Sequence, residues 1–159
     1  ATTVTGGGQQ YVGSGGIANG THLASGTEHV QAGGTAQGVD FAGSSGTLLL
    51  DDASSLTGTI SNFELGDTID LLNTSVISFE FDGSTLTLAT SGGSVSYQFA
   101  DVEAGTEFSV ASDGHGGTAI SLSLLAQFSA SLVPEPGAEG SLVAQDTTPT
   151  ENTLANVQA

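Results

Sequence analysis

The chain has 159 residues with 17 Asp plus Glu and no Lys or Arg, a formal net charge of −17 when its three histidines are neutral. Without cations it cannot neutralise nucleic-acid phosphates or dock electrostatically on anionic lipid. It also lacks Cys, Met and Trp, which excludes a disulfide framework, a thiolate metal site and a thiol nucleophile.

Stability therefore has to come from burial, backbone hydrogen bonds or bound cations, because ion pairs are limited to histidine and the terminal amine. Glycine fills 24 positions, about twice the usual share. The longest apolar candidate, Thr47–Leu50, is far short of a bilayer span, so no membrane insertion is expected. The chain begins at Ala1 with no initiator Met and no basic signal segment, which reads as a processed or unconventionally exported, extracellular protein.

In chain order, the first feature is a repeat. A shift of eighteen residues places Gly8 on Gly26, Val12 on Val30 and Gly15-Gly16 on Gly33-Gly34. The same shift places Ala18 on Ala36, Gly20 on Gly38 and Leu23 on Phe41. A third unit begins near Ser45-Gly46-Thr47, where the spacing lengthens. The period is too short for a helix-pair repeat and suits one coil of a β-solenoid. Glycine supplies the corners, Val12, Leu23, Val30 and Phe41 stack inside the tube, and Ala18 and Ala36 fit where its walls approach. Helix is disfavoured here by frequent glycine.

Beyond the repeat, Thr59-Ile60-Ser61, Asp67 to Leu71 and Ile77 to Phe81 read as short strands. Asp82-Gly83 predicts a hairpin over 77–89, and Gly92-Gly93 leads into a further strand, Val95 to Phe99. Phe108-Ser109-Val110 and Thr118 to Leu122 bracket the turn Asp113-Gly114-His115-Gly116-Gly117. This segment consists of irregular coils or of antiparallel strands that close the solenoid. After Leu125 the pattern weakens, and Val133-Pro134-Glu135-Pro136-Gly137 is a breaker cluster. The expected architecture is an all-β parallel β-helix with coils of about eighteen residues over 1–50, a β-rich continuation of the same domain over 51–124, and an extended tail over 125–159. The tail lies against its own domain or serves as an inter-subunit strand.

Gly15-Gly16-Ile17-Ala18-Asn19-Gly20-Thr21 and Gly33-Gly34-Thr35-Ala36-Gln37-Gly38-Val39 resemble the Gly-Gly-Thr-Ala passenger repeats of AIDA-type bacterial adhesins. Gly46 to Leu50, Gly58-Thr59-Ile60, Gly66 to Leu71 and Asp113 to Thr118 resemble segments of large secreted β-strand-repeat surface proteins of proteobacteria. Together these stretches cover roughly residues 6–124. The resemblance implies a parallel β-helix, export to the cell surface, and a role in adhesion, biofilm or surface structure. No outer-membrane barrel of the adhesin kind follows, which implies its removal or a different export route.

Candidate cation ligands are Asp51, Asp52, Asp67, Asp70 and Asp113, hard oxygen donors suited to Ca2+. The favoured alternative is a set of solvated carboxylates. The turn at Asp113 departs from the calcium-binding Gly-Gly-x-Gly-x-Asp nonapeptide, since no Asp follows its glycines. Asp67 and Asp70 are oddly spaced, so on one strand they point to opposite faces. The repeat register maps His22 onto Asp40 and His29 onto Tyr11, outward variable positions rather than a metal-ligand set.

Catalysis is not expected. A −17 chain repels the polyanions that lyases act on, and no distinctive acid pair marks a hydrolase of neutral glycans. The absence of Trp weighs against a sugar-binding platform. The leading expectation is a structural subunit of a bacterial surface filament or matrix that polymerises with copies of itself by head-to-tail stacking. A carbohydrate- or calcium-binding adhesin module, with surface glycans as partners, is the alternative. The expected assembly residues are Thr3, Val4, Gln9 and Gln10 in the first coil, and Phe128, Leu132, Val133, Leu142 and Val143 in the tail.

Overall fold

The eighteen-residue offset is one full turn of the backbone. A computed structural model describes residues 1–125, and the unit they build closes at Leu124. Strand β1 (Thr3–Thr5) opens it. Each turn then contributes one strand to each of two walls. Those of the first turn are β2 (Gln9–Val12) and β3 (Ile17–Ala24). The second has β4 (Thr27–Val30) and β5 (Thr35–Asp40), and the third β6 (Thr47–Leu50) and β7 (Leu56–Ser61). All stack in parallel: Gln9 faces Thr27, and Ile17 faces Thr35, at the predicted offset. Thr27 then faces Thr47, and Thr47 faces Thr68 of β8 (Thr68–Leu71), so the turns lengthen where the sequence match decays.

The core follows from which residues point inward. Val12, Val30, Leu50 and Leu71 form one buried column, and Leu48 and Ile69 continue a second. Ala36 is buried against the facing wall with Ala18 packed beside it, as its small size requires. Side-chain alternation reverses at Gly20 and Gly38, whose φ values are +67° and +80°. Before the reversal the inward residue is Ala18 or Ala36; after it, Thr21 or Val39. The Gly-Gly corners divide their work. Gly33 has φ +84°, in the left-handed region, and a Cβ on Gly34 would collide with the Val12 carbonyl oxygen of the rung before.

The third turn takes an extra corner, a single 3-10 turn at Ala53–Ser55 that the sequence reading did not contain. It is tied to the core by Tyr97, whose buried hydroxyl donates to the Ala53 carbonyl at 2.7 Å. Desolvation pushes the Tyr97 phenol far above its ordinary pKa, which keeps it a donor.

Antiparallel strands then build onto the last parallel rung. In the first wall β9 (Val76–Phe81), β10 (Thr85–Thr90) and β11 (Gly93–Phe99) form a meander whose last strand pairs with β7. In the second, β12 (Thr106–Ser112) and β13 (Thr118–Leu124) form a hairpin on β8. The β9–β10 turn is held by Asp82, whose Oδ1 accepts from the backbone N–H groups of Ser84 and Thr85. Among the described residues the walls have seven and six strands, in the orders β1-β3-β5-β7-β11-β10-β9 and β12-β13-β8-β6-β4-β2. Phe41, Phe63, Phe99, Phe108 and Phe81 run down the interior, with successive ring centroids 4.8–5.5 Å apart. This seam joins the parallel coils to the antiparallel end.

Gly34→Ala should lower stability by about 1–3 kcal/mol, because the collision is with backbone that belongs to an adjacent rung. Thermal unfolding followed by circular dichroism checks it. Gly83→Ala places a Cβ in open space and tests only the positive φ of its turn, so it should cost less, about 1 kcal/mol.

Candidate functional site

The register brings the histidines to carboxylates. His22 on β3 lies beside Asp40 on β5, with Nδ1 2.7 Å from Oδ2. Asp40 Oδ1 also accepts from Asn62 Nδ2 at 2.6 Å and from Ser61 Oγ at 3.1 Å. Desolvation acts to raise the Asp40 pKa, but the bonds from Asn62, His22 and Ser61 together hold it below the ordinary aspartate value. His22, Asp40 and Ser61 edge a shallow groove of about 580 Å3, which also includes Asn19, Gly20, Gly38 and Thr59.

The order of the groups decides what this groove can do. An activated serine needs imidazole between hydroxyl and carboxylate. Here the carboxylate lies between them, so Ser61 donates to Asp40 and is not deprotonated by His22. Asn19 is also committed, donating to Gln37 Oε1 at 3.0 Å in a ladder across rungs. The arrangement cross-links neighbouring turns through their side chains.

The second histidine repeats the pattern. His29 Nε2 lies 2.8 Å from Asp51 Oδ1, and its ring packs on Tyr11 with centroids 5.8 Å apart. The hydrogen bond from His29, with help from the Ala32 N–H and against desolvation, holds the Asp51 pKa below the ordinary aspartate value. Tyr11 faces His29 in the ladder as the repeat register placed it.

The five aspartates named as cation ligands do not converge on one point, although Asp70 and Asp113 lie near each other. Asp51 is bound to His29, and Asp52 precedes the 3-10 turn. Asp113 sits in its own hairpin loop, where Oδ1 accepts from the N–H groups of His115 and Gly117; these bonds lower its pKa. Asp70 on β8 has a sealed Oδ1 without a partner, and desolvation, then the nearby charge of Asp113, raises its pKa. No group of three His, Cys, Asp or Glu residues able to hold a metal ion occurs among the described residues.

Asp67 corrects the reading of solvated carboxylates, because it is fully buried. It is also not on the strand with Asp70. It occupies the corner before β8, in the column that Gly26 and Gly46 fill in the rungs below. Its Oδ1 accepts from the Gly46 N–H at 2.8 Å and its Oδ2 from the Glu64 N–H at 2.9 Å. Desolvation outweighs these bonds and raises its pKa to about 6. A second sealed carboxylate, Glu28, was missed because strand alternation alone does not assign an acidic residue to the interior.

The first-coil residues named for assembly divide. Thr3 and Gln9 are exposed, whereas Val4 is buried in the core and Gln10 turns inward to Glu28. Phe128, Leu132, Val133, Leu142 and Val143 lie outside the described residues. No described helix is long and apolar enough to cross a membrane. Comparison with family models, curated proteins and solved structures finds no match.

Asp67 gives a pH dependence whose sign is fixed by its raised pKa. The neutral acid is favoured in the folded state, so this contribution is complete below the unfolded value near 3.8 and is lost as pH rises through about 6. Asp67→Asn should flatten that part of the stability profile, measured by denaturant unfolding at a series of pH values.

Proposed function

We propose that this chain is a structural β-solenoid subunit of an extracellular bacterial surface filament or matrix, built by end-to-end stacking of copies and supporting adhesion or biofilm. The observation that carries the reading is the location of the exposed apolar side chains. Tyr11 (61% exposed) and Ile17 (67%) lie on the first rung, and Ile77 (71%) and Phe79 (43%) lie on β9 at the far end. Leu124 and Leu125 follow at the end of β13, and none lies on the rungs between. Large apolar groups gathered at edges that a neighbour would cover are a mark of interaction surfaces.

Strand direction supports the same reading. β11 runs parallel to β7, and β10 is antiparallel to both β11 and β9, so β9 runs with β7. By the same count β12 runs with β8. The strands at the far end therefore run in the same sense as β1 and β2 at the head. A copy displaced along the axis brings β9 towards β1 and β12 towards β2 with parallel direction in both walls. Such an arrangement is heterologous and does not close on itself, which gives a fibre.

Charge opposes this association. With −17 on each copy, stacking is favoured by salt, by low pH or by calcium acting on the surface carboxylates. An unoccupied edge also suits a further rung of any matching β-solenoid, and the matching strand directions of head and far end favour a second copy.

Negative-stain microscopy and sedimentation of the full chain across salt and calcium concentrations test the reading. The expected result is fibres with an axial repeat of about 29–34 Å, six to seven strand spacings of ~4.8 Å. Ile17→Asp and Ile77→Asp should each weaken association about tenfold or more while leaving the fold intact. A single monomeric species under every condition would overturn it.

A further inference from the structure

One inward column of the second wall changes character at the head of the tube. It reads Ile69, Leu48, Glu28, Gln10 from the inside outwards, so two polar residues replace the apolar series in the last two rungs. Glu28 has no exposed surface. Its Oε2 accepts from Gln10 Nε2 at 3.2 Å, and the same amide nitrogen lies 3.2 Å from the Oγ1 of buried Thr21. Its Oε1 is sealed and meets no donor.

The chain has no Lys or Arg to compensate a charge there, and the terminal amine of Ala1 borders an open groove together with Gln10 and Tyr11. The titratable groups on the elements around it are Tyr11 on β2, His22 on β3, His29 on β4 itself and Asp40 on β5; β6 has none. Tyr11 is exposed and both histidines are engaged with aspartates on the outer face. An ionised carboxylate sealed with one oxygen unpaired is strongly disfavoured, so the group holds a proton or draws in water. Desolvation accordingly raises the Glu28 pKa, against the opposing influence of the neighbouring Thr21 hydroxyl and of the Gln10 amide.

Water can reach Glu28 most directly through the first rung. β2 pairs with β4 on one side only, and β1 covers just His22 to Ala24 of β3. The deeper strands β4, β6 and β8 are paired on both sides. We propose that the head of the solenoid is a proton-operated latch, in which protonated Glu28 lets the first rung close on the second and ionised Glu28 opens it. The latch follows from the fold; where the head also stacks on a second copy, as the proposed function has it, the latch sets the pH at which that surface is ordered.

The sign is that of a carboxyl with a raised pKa: closure is complete below the ordinary glutamate range and is lost as pH rises through the folded value. The test uses the full chain at a concentration too low for association. The Glu28 side-chain carboxyl is titrated by 13C NMR, and amide-exchange protection is measured on Gln9–Val12 and on Thr118–Leu124 across the same pH range. Glu28 should titrate above the ordinary glutamate range. Protection of Gln9–Val12 should fall at least about tenfold through that transition, in excess of any change in Thr118–Leu124.

Glu28→Gln should abolish the excess loss, whereas Asp101→Asn, an equal change of charge on the surface, should leave it. Thr21→Val removes a hydrogen-bond partner and should move the Glu28 titration upwards, a readout that stands if Glu28→Gln does not fold. Titration of Glu28 within the ordinary glutamate range, or an unchanged loss of protection in folded Glu28→Gln, would overturn the latch. Light scattering at high concentration is read separately. A working latch without association at any pH would refute the filament and leave the latch; association with flat first-rung protection would do the reverse.

Discussion

Each rung can rest about 4.8 Å above the one before it only where the turning backbone has no side chain pointing at its neighbour. Gly26, Gly34 and Gly46 are such positions, since a Cβ on any of them would press against atoms of the adjacent rung. Their spacing sets the length of the coil, and the coil length decides which side chains share a column. The buried columns, the His–Asp pairs and the stacked phenylalanines all depend on that register. Asp67 marks where the glycine column ends: its side chain bonds back to the Gly46 N–H, doing by hydrogen bonding what the lower corners do by absence of bulk.

A chain without Lys or Arg has to accommodate its carboxylates by other means. Asp82 and Asp113 receive backbone N–H groups within their own turns. Asp40 and Asp51 receive histidine across rungs. Glu28 and Asp67 are sealed, and burial moves both towards the neutral acid. The last two of these groups oppose each other with pH. The sealed pair favours mild acid, whereas the histidine-bound aspartates, with lowered pKa values, lose their contribution only as pH falls through the acid range.

Much of the fold was legible because glycine acts locally. The paired glycines gave the coil and its offset, and the Asp-Gly and Gly-Gly turns gave the hairpins of the closing region. What escaped depends on neighbours in space. The reversal of alternation at Gly20 and Gly38 cannot be read from alternation itself. It follows from a positive φ whose effect is visible only against the facing wall. The 3-10 turn at Ala53–Ser55 depends on a hydroxyl 44 residues away. Glu28 and Asp67 contradict polarity, and their places are evident only when residues are aligned by rung. The His22–Asp40 pair was within reach, since His22 over Asp40 was in the register and only had to be read as contact instead of variation; His29 aligns with Tyr11 and Leu49, so its pairing with Asp51 was not.

The register itself is open to direct measurement, because the native chain has no cysteine. Asn19 and Gln37 face each other on adjacent rungs, and Thr57 faces Gln37 one rung further on. Asn19→Cys with Gln37→Cys should close a disulfide under mild oxidation, whereas Asn19→Cys with Thr57→Cys, about 9.6 Å apart at two strand spacings, should stay reduced in the monomer. Equal cross-linking of the two pairs in the folded monomer, or none in the first, would contradict the stacked solenoid on which every other conclusion rests.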